Sequence, residues 1–348
     1  MLTERALNRT LLQRQHLLER TSMEPLAMVE HLLGLQAQEP LPPYLSLFAR
    51  LEDFDPQVLS KSLESRQTVR LLVMRGTIHT LTADDALTLR PFTQPLLTKV
   101  IKSTDWGRGF PLEMYDDVVA RTRAALVDGP LPVKQLGEVL AEAYPDRSPS
   151  DCGNLARSLV PLVQVPPRGL WKQPGGQVYE TLETWLGEEL REPDRAEIVR
   201  RYLRAYGPAT PADVTTWSGT TGIREIFAAL GDELVTLIGP DGKTLWDLQA
   251  MSVATGEEHA PVRMLGRYDN VWLSHASRER VTTPEKRKKW MGTNGGIGFT
   301  IFVDGWLEGT WSQTPAGKVD VTLHRELTKA EHAELAAEIA AVEKFLAS

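Results

Sequence analysis

The 348-residue sequence predicts an α+β fold with three tandem winged-helix units and a C-terminal antiparallel β-domain that ends in a helix. Two observations support this prediction. Segments with helical periodicity followed by a β-hairpin occur three times, at spacings of about 80 to 100 residues and with little similarity in sequence. After the third hairpin, the chain changes to strands paired across Asp304-Gly305, a strong hairpin dipeptide, and then to one last helix.

Residues 1–108 form the first predicted unit. An amphipathic helix is expected over residues 2–20, and a second helix begins at Pro25, because proline suits the first turn of a helix. Pro40 disfavours helical geometry at the residue before it, so the second helix is expected to end within the Gln-Ala-Gln motif at 36–38. On extended chain the two glutamines share a face and present their amides to the same space.

The rest of the first unit is predicted to be two helices, a hairpin and a further helix. The two helices open with proline, and Asp55 is expected to cap the second one. The run "TVRLLVMRGTIHTLT" predicts two strands around Arg75-Gly76, and the helix that follows is expected to be capped near Thr82.

The remaining units follow the same order of elements. Residues 109–190 contain two predicted helices and a hairpin that turns at a Pro-Gly-Gly sequence, and residues 191–255 contain three helices and a hairpin. Residues 256–348 are predicted to form the β-domain, closed by a helix that Thr328 and Glu331 open in capping-box spacing. Together with the first unit, these ranges are the predicted domains.

The composition is that of an ordinary globular protein, with 42% hydrophobic and 24% charged residues. No apolar run approaches the length of a transmembrane helix and the N-terminus lacks a signal-peptide pattern, so we expect a cytoplasmic protein without membrane contact. We also expect a monomer. Cys152 is the only cysteine, and the seven histidines include no pair at metal-ligand helical spacing. The sequence therefore predicts no metal and no other cofactor.

One segment departs from the acidic character of the chain. Residues 278–289, "RERVTTPEKRKK", hold six basic and two acidic residues, a net charge of +4 in a chain of net charge −7. Such a concentration suits a phosphate backbone, and a solvated flexible loop is the alternative interpretation. The six basic residues are Arg278, Arg280, Lys286, Arg287, Lys288 and Lys289.

Two histidines and two glutamines are further candidates for chemistry. His79 and His275 are candidate ligands or bases, although an ordinary hydrogen-bonded histidine is the more common role. Gln36 and Gln38 are uncharged and poor acids or bases. By spacing alone, they are two amides that cap a helix end and satisfy the nearby backbone.

Four motifs occur in sequence order over nearly the whole chain: "GLQAQ", "VMRGTIHTLTADD", "LGRYDNVWLSH" and "FVDGWLEGTW". Together they resemble the winged-helix DNA glycosylases related to AlkZ and YcaQ, which release alkylated purines, including interstrand crosslinks. The resemblance implies three tandem winged helices and a β-domain around a central DNA channel.

The resemblance also assigns a role to the glutamines. The catalytic motif of the AlkZ-like branch is glutamine, an aliphatic residue and glutamine, whereas the YcaQ-like branch has aspartate in the last position. Gln36 and Gln38 therefore resemble the catalytic pair of the AlkZ-like branch. Where relatives often read "HxDR", this chain reads "HASR", with Ala276 and Ser277 before the retained Arg278.

The implied partner is double-stranded DNA that carries alkylated purines, and Arg75, His79 and His275 are expected to contact it together with the six basic residues. The implied reaction is hydrolysis of the N-glycosidic bond of N7-alkylated purines, including interstrand crosslinks, in DNA repair or in self-resistance to alkylating agents. An N7-alkylated guanine is cationic and leaves without a proton, so two amides that orient a water suffice.

Two other functions stay open on the sequence alone. A non-enzymatic winged-helix DNA-binding protein or transcriptional regulator would bind a specific sequence and ignore lesions. A protein-interaction scaffold without DNA affinity would suit the acidic composition. Lesion-dependent release of a base separates the three functions.

Overall fold

The computed structural model describes residues 1–290 and 298–348, apart from the side chains of residues 289 and 290, and it confirms the predicted α+β fold class. The elements of the first unit are α1 (Glu4–Arg14), α2 (Pro25–His31), β1 (Leu35–Gln36), α3 (Pro42–Arg50), α4 (Pro56–Glu64), β2 (Thr68–Leu72), β3 (Ile78–Thr82), α5 (Ala83–Ser103) and α6 (Asp105–Arg108). A 3₁₀ turn, Met74–Gly76, joins β2 to β3.

The second and third units repeat the order of helices followed by a hairpin. The second contains α7 (Tyr115–Ala125), β4 (Leu131–Pro132), α8 (Val133–Ala143), α9 (Pro149–Leu159), β5 (Leu162–Gln164), β6 (Val178–Thr181) and α10 (Leu182–Leu186). The third contains α11 (Arg195–Tyr206), α12 (Pro211–Ser218), α13 (Ile223–Leu230), β7 (Leu234–Ile238) and β8 (Thr244–Leu248).

The last part of the chain supplies the β-domain and the terminal helix. Its elements are β9 (Arg263–Leu265), α14 (Asn270–Leu273), α15 (Pro284–Trp290), β10 (Phe299–Val303), β11 (Trp306–Gln313), β12 (Val319–Leu323) and α16 (Lys329–Ala347). Asp304 and Gly305 turn the β10–β11 hairpin with positive φ angles of 48° and 77°, as the dipeptide predicts. The predicted capping box between Thr328 and Glu331 opens α16.

The hairpins of the first two units join into one sheet. Its strand order is β1-β3-β2-β5-β6-β4, and the two hairpins meet where Leu71 of β2 pairs with Val163 of β5. The third hairpin forms a separate two-stranded sheet, and the β-domain has the order β12-β11-β10-β9. The domain boundaries after residues 108, 190 and 255 remain predictions.

Two predicted helix ends were wrong. The first helix ends at Arg14 and not near residue 20, because His16 adopts a left-handed φ of 53° that stops the helix. The second helix ends at His31, before the Gln-Ala-Gln motif, so Pro40 does not terminate it. The caps at Asp55 and Thr82 are confirmed: each side chain accepts a backbone N–H in the first turn of its helix.

Among the described residues, each helix falls short of the length or the apolar character that a membrane crossing requires.

A buried ion pair joins the first unit to the β-domain. Arg50, at the end of α3, donates to both carboxylate oxygens of Asp269 at 2.7 and 2.9 Å, and both side chains are 0% exposed. The same guanidinium donates to Ser46 and to Gln15. Burial acts to raise the pKa of Asp269, but the charge and hydrogen bonds of Arg50 outweigh it and hold this pKa below its ordinary value.

Removing one partner of this pair should cost much of the stability of the fold. In Arg50→Met, Asp269 is left as an unpaired buried charge, and we expect the free energy of unfolding to fall by about 3 to 5 kcal/mol in urea titrations. Arg121→Met is the matched control: it breaks a pair with Asp117 in which both side chains are 50% exposed, so it should cost at most about 1 kcal/mol. Equal effects of the two substitutions would contradict the assignment.

Candidate active site

The Gln-Ala-Gln motif begins in β1, the edge strand of the six-stranded sheet, and a bend starts at Gln38. After α2, Leu33 and Gly34 turn the chain with positive φ angles of 52° and 95°. A Cβ atom on Gly34 would lie 2.2 Å from a methyl carbon of Leu81, so the close approach to β3 requires glycine. In the β1–β3 pairing, Gln36 stands opposite His79. The sequence predicted a helix that reaches into the motif, whereas the turn at residues 33 and 34 separates the helix from the motif and leads into β1.

Two other segments, α11 and α14, fix this loop through its backbone. The Tyr206 hydroxyl in α11 donates to the Leu32 carbonyl at 2.5 Å, and the Asn270 side chain in α14 donates to the Gly34 carbonyl at 2.7 Å. Asn270 also donates to the Tyr206 oxygen at 3.1 Å, so these two side chains act together. Residues from the third unit and the β-domain therefore hold the motif in place.

Gln36 is held by Arg75 at the tip of the β2–β3 hairpin. The Gln36 side chain is nearly buried, and its Oε1 accepts a hydrogen bond from Arg75 Nη2 at 2.7 Å. Because a guanidinium only donates, this contact fixes the amide with its oxygen toward Arg75 and its nitrogen away. Gln36 Nε2 has no hydrogen-bond partner within the part of the chain that the structure describes.

Gln38 is exposed and has the same orientation. Its Oε1 accepts from the backbone N–H of Ile78 at 3.3 Å, which again turns the oxygen inward and leaves Nε2 without a partner among the described residues. Ala37 is fully buried between the two glutamines. The motif therefore offers two amide nitrogens as donors, and each oxygen keeps one lone pair.

His79 is buried and uncharged. Its Nδ1 lies 3.1 Å from the Thr77 carbonyl, which only accepts, so Nδ1 carries the proton and Nε2 accepts from Arg75 at 3.1 Å. Burial, and then the charge of Arg75, lower the pKa of His79 to about 3. Both ring nitrogens are used within the protein, so the predicted contact of His79 with DNA is not supported.

A series of arginines leads from the glutamines toward α15. Burial lowers the pKa of Arg75 to about 10, and the charge of Arg278 contributes to that shift. The pKa of Arg278 is lowered by burial and by the charge of Arg287, and its guanidinium lies 5.1 Å from the centre of the Trp272 ring. None of these arginines forms a salt bridge within residues 1–290 and 298–348. Their unneutralised charge suits a polyanion.

Other predicted DNA contacts are occupied within the protein. Arg280 is buried with its guanidinium 3.9 Å from Asp213, and His275 is buried with its ring N–H donating to the Tyr206 carbonyl at 2.9 Å. Burial lowers the pKa of His275 to about 3. Arg280 is 9% and His275 is 3% exposed, so their contact with DNA stays a prediction that this burial does not favour.

The second half of the basic segment is helical, because α15 begins at Pro284, whereas residues 278–283 form a turn and irregular chain. Lys286 pairs with Glu308, Arg287 is half-buried and Lys288 is exposed. The side chain of Lys289 lies outside the described residues. Among the basic side chains of α15 that the structure describes, Arg287 and Lys288 are therefore the two without a salt bridge.

The motif "FVDGWLEGTW" has a structural role. Asp304 accepts hydrogen bonds from Arg5 at 2.6 Å and from Arg9, both in α1, and Glu308 pairs with Lys286. These contacts attach the β10–β11 hairpin to α1 and to α15. Among the described residues, no group of three or more histidine, cysteine, aspartate or glutamate side chains is placed to hold a metal ion.

Sequence reasoning missed Tyr206 and Asn270. Asn270 lies in the motif "LGRYDNVWLSH", which pointed to the segment but not to its contact with the Gly34 carbonyl. Tyr206 ends a helix in the third unit, and its distance of 174 residues from Leu32 along the chain gave no local signal.

Comparisons with known proteins identify the family and the fold of the chain. A model of the family DNA glycosylase AlkZ-like matches residues 29–345. The interstrand DNA cross-link repair glycosylase of Streptomyces sahachiroi is 25% identical over 330 residues, which cover 86% of this chain and 85% of the relative. The solved structure of Streptomyces sahachiroi DNA glycosylase AlkZ aligns with a TM-score of 0.81 and 21% identity, over 99% of this chain and 97% of that chain, and so shares its fold. Since the family match spans most of the sequence, the chain belongs to the AlkZ-like family of DNA glycosylases, enzymes that hydrolyse N-glycosyl bonds.

Proposed function

We propose that this glycosylase hydrolyses the N-glycosidic bond of N7-alkylated purines, including those in interstrand crosslinks, and that Gln36 and Gln38 act at the reaction centre. The observation that carries the proposal is the pair of neutral amides with free nitrogens, beside the unpaired charges of Arg75 and Arg278. The same reaction would serve DNA repair or self-resistance to alkylating agents.

The chemistry explains why a site without an acid is sufficient. Alkylation at N7 makes guanine cationic, so the C1′–N9 bond breaks with its electron pair going to the base, which leaves neutral. Water forms the new bond to C1′, and one of its protons passes to solvent. A general acid usually contributes about 10² to 10⁴ in rate, and this leaving group needs none.

The groups near the motif fit that requirement. Glutamine amides do not donate a proton to a leaving base at neutral pH, and His79 is neutral with both nitrogens bonded. Glu39, the carboxylate next to Gln38, is paired with Arg267 at 3.0 Å. What remains is to hold the water and the sugar in place, which hydrogen bonds from Gln36 and Gln38 can do.

A crosslinked substrate is consistent with this arrangement. Many glycosylases rotate the target base out of the duplex, and a lesion tethered to both strands resists that motion. The relative from Streptomyces sahachiroi carries the name interstrand DNA cross-link repair glycosylase, and we extend that substrate to this chain as part of the proposal. A non-enzymatic regulator, by contrast, would bind DNA without releasing any base.

Base release from a duplex with one N7-methylguanine tests the assignment. Gln36→Ala and Gln38→Ala should each lower the rate by at least about tenfold with no change in the thermal midpoint, because each removes a group that positions the reactants. Gln135→Ala, at an exposed glutamine of α8, is the matched control and should excise at the wild-type rate. Wild-type rates in both motif variants would refute the assignment.

The contact with DNA is tested by charge reversal on α15. Arg287→Glu with Lys288→Glu should weaken DNA binding, and each lost phosphate contact should remove about 0.9 from the slope of log affinity against log salt. Lys134→Glu, at an 85% exposed side chain on α8, reverses a charge elsewhere and should leave the slope unchanged. If the α15 variant keeps the wild-type slope, this helix does not bind the backbone of DNA.

A further inference from the structure

We propose that Arg75 is a positioning residue: its guanidinium holds the oxygen of Gln36 and thereby makes Gln36 a hydrogen-bond donor toward an acceptor atom of the lesion nucleotide. This inference rests on the proposed function, and it replaces the role in DNA contact that the sequence predicted for Arg75. It also gives Gln36 and Gln38 different roles in the reaction.

The position of Arg75 is fixed by its own backbone and by two neighbours. The residue has a left-handed φ of 56° in the turn between β2 and β3, and glycine follows it. Its Nη1 lies 3.4 Å from the Trp217 carbonyl in α12, and its Nη2 lies 3.1 Å from His79 Nε2. Because both terminal nitrogens of Arg75 are held in this way, its guanidinium has a fixed position from which it can orient Gln36.

His79 determines how the hydrogens of Nη2 are used. Its Nδ1–H donates to the Thr77 carbonyl, so Nε2 has a lone pair and accepts one N–H of Arg75 Nη2. The other N–H of that nitrogen is then left for Gln36 Oε1 at 2.7 Å. The contacts form a continuous series from the carbonyl of Thr77, the residue before β3, to the amide of Gln36, and each donor in it is matched to an acceptor.

The reverse orientation of Gln36 is excluded by this series. A flipped amide would place its NH₂ group against a guanidinium that has only donors, and would lose a charge-assisted hydrogen bond. An oxygen that accepts from a cation is also a poor partner for positive charge that develops on the sugar. Gln36 therefore acts through Nε2.

Gln38 is held differently. Its oxygen is bonded only to a backbone N–H, at 3.3 Å, and the side chain is exposed, so this amide turns more easily and can offer its oxygen to the attacking water. Gln36 then supplies a fixed donor and Gln38 an acceptor. The acceptors available to Gln36 Nε2 are lone-pair atoms of the lesion nucleotide.

Single-turnover excision at saturating protein, measured together with DNA affinity, tests the proposal. Gln36→Glu keeps the size of the side chain and its bond to Arg75 but has no N–H, so its rate should fall at least about tenfold, as in Gln36→Ala. Arg75→Met should lower the saturated rate by a similar factor while the dissociation constant for lesion DNA changes by less than about threefold. Arg66→Met is the control, because Arg66 also has a left-handed φ, of 67°, and donates to a backbone carbonyl.

Combined variants separate positioning from a purely structural effect. If Arg75 acts through Gln36, Gln36→Ala with Arg75→Met should be no slower than Gln36→Ala alone, since the two losses are not additive. Wild-type activity in Gln36→Glu would overturn the donor role, and this holds even if Arg75→Met fails to fold. A weaker affinity with an unchanged saturated rate in Arg75→Met would identify Arg75 as a phosphate contact. If Gln36→Ala itself is fully active, the proposed function fails instead.

Discussion

The buried ion pair between Arg50 and Asp269 is the contact on which the site depends most. Arg50 ends the helix that follows the glutamine motif, and Asp269 directly precedes Asn270, whose amide holds the Gly34 carbonyl. Two buried charges are stable only when they are paired and hydrogen-bonded. The pair therefore leaves little freedom in how the β-domain packs against the first unit. The loop that carries Gln36 is positioned by that packing.

The arginines that stabilise the fold are different from the arginines whose charge is available to a ligand. Arginines such as Arg50, Arg9 and Arg280 lie close to carboxylates, and they join parts of the chain that are far apart in sequence. Arg278 and Arg287 have no such partner within the described part of the chain, although the net charge is −7. A protein that is acidic overall can therefore bind a polyanion locally, because the cations that face it are the ones left unneutralised.

The sequence predicted the elements whose signals are local. Proline and Asp55 marked α4, the Asp304-Gly305 dipeptide marked a hairpin, and the motif match pointed to Gln36 and Gln38, whose role is still a prediction. The end of α2 was missed because Leu33, a residue that rarely adopts positive φ, takes a left-handed conformation under tertiary constraint. The burial of Arg280 could not be predicted from the sequence, because its partner Asp213 lies in another unit. A run of basic residues also does not indicate which of its side chains point into the protein.

The central claim is that this site releases a base without protonating it. The most direct measurement compares base release from two duplexes that differ only in the lesion, N7-methylguanine or hypoxanthine, between about pH 5 and 8. Because the pKa of His79 and that of His275 are lowered to about 3, neither histidine is protonated in this range. We therefore expect a rate of N7-methylguanine release that does not fall as the pH rises, and almost no release of hypoxanthine. Efficient release of hypoxanthine, or a rate on N7-methylguanine that falls as a group loses its proton, would contradict the account.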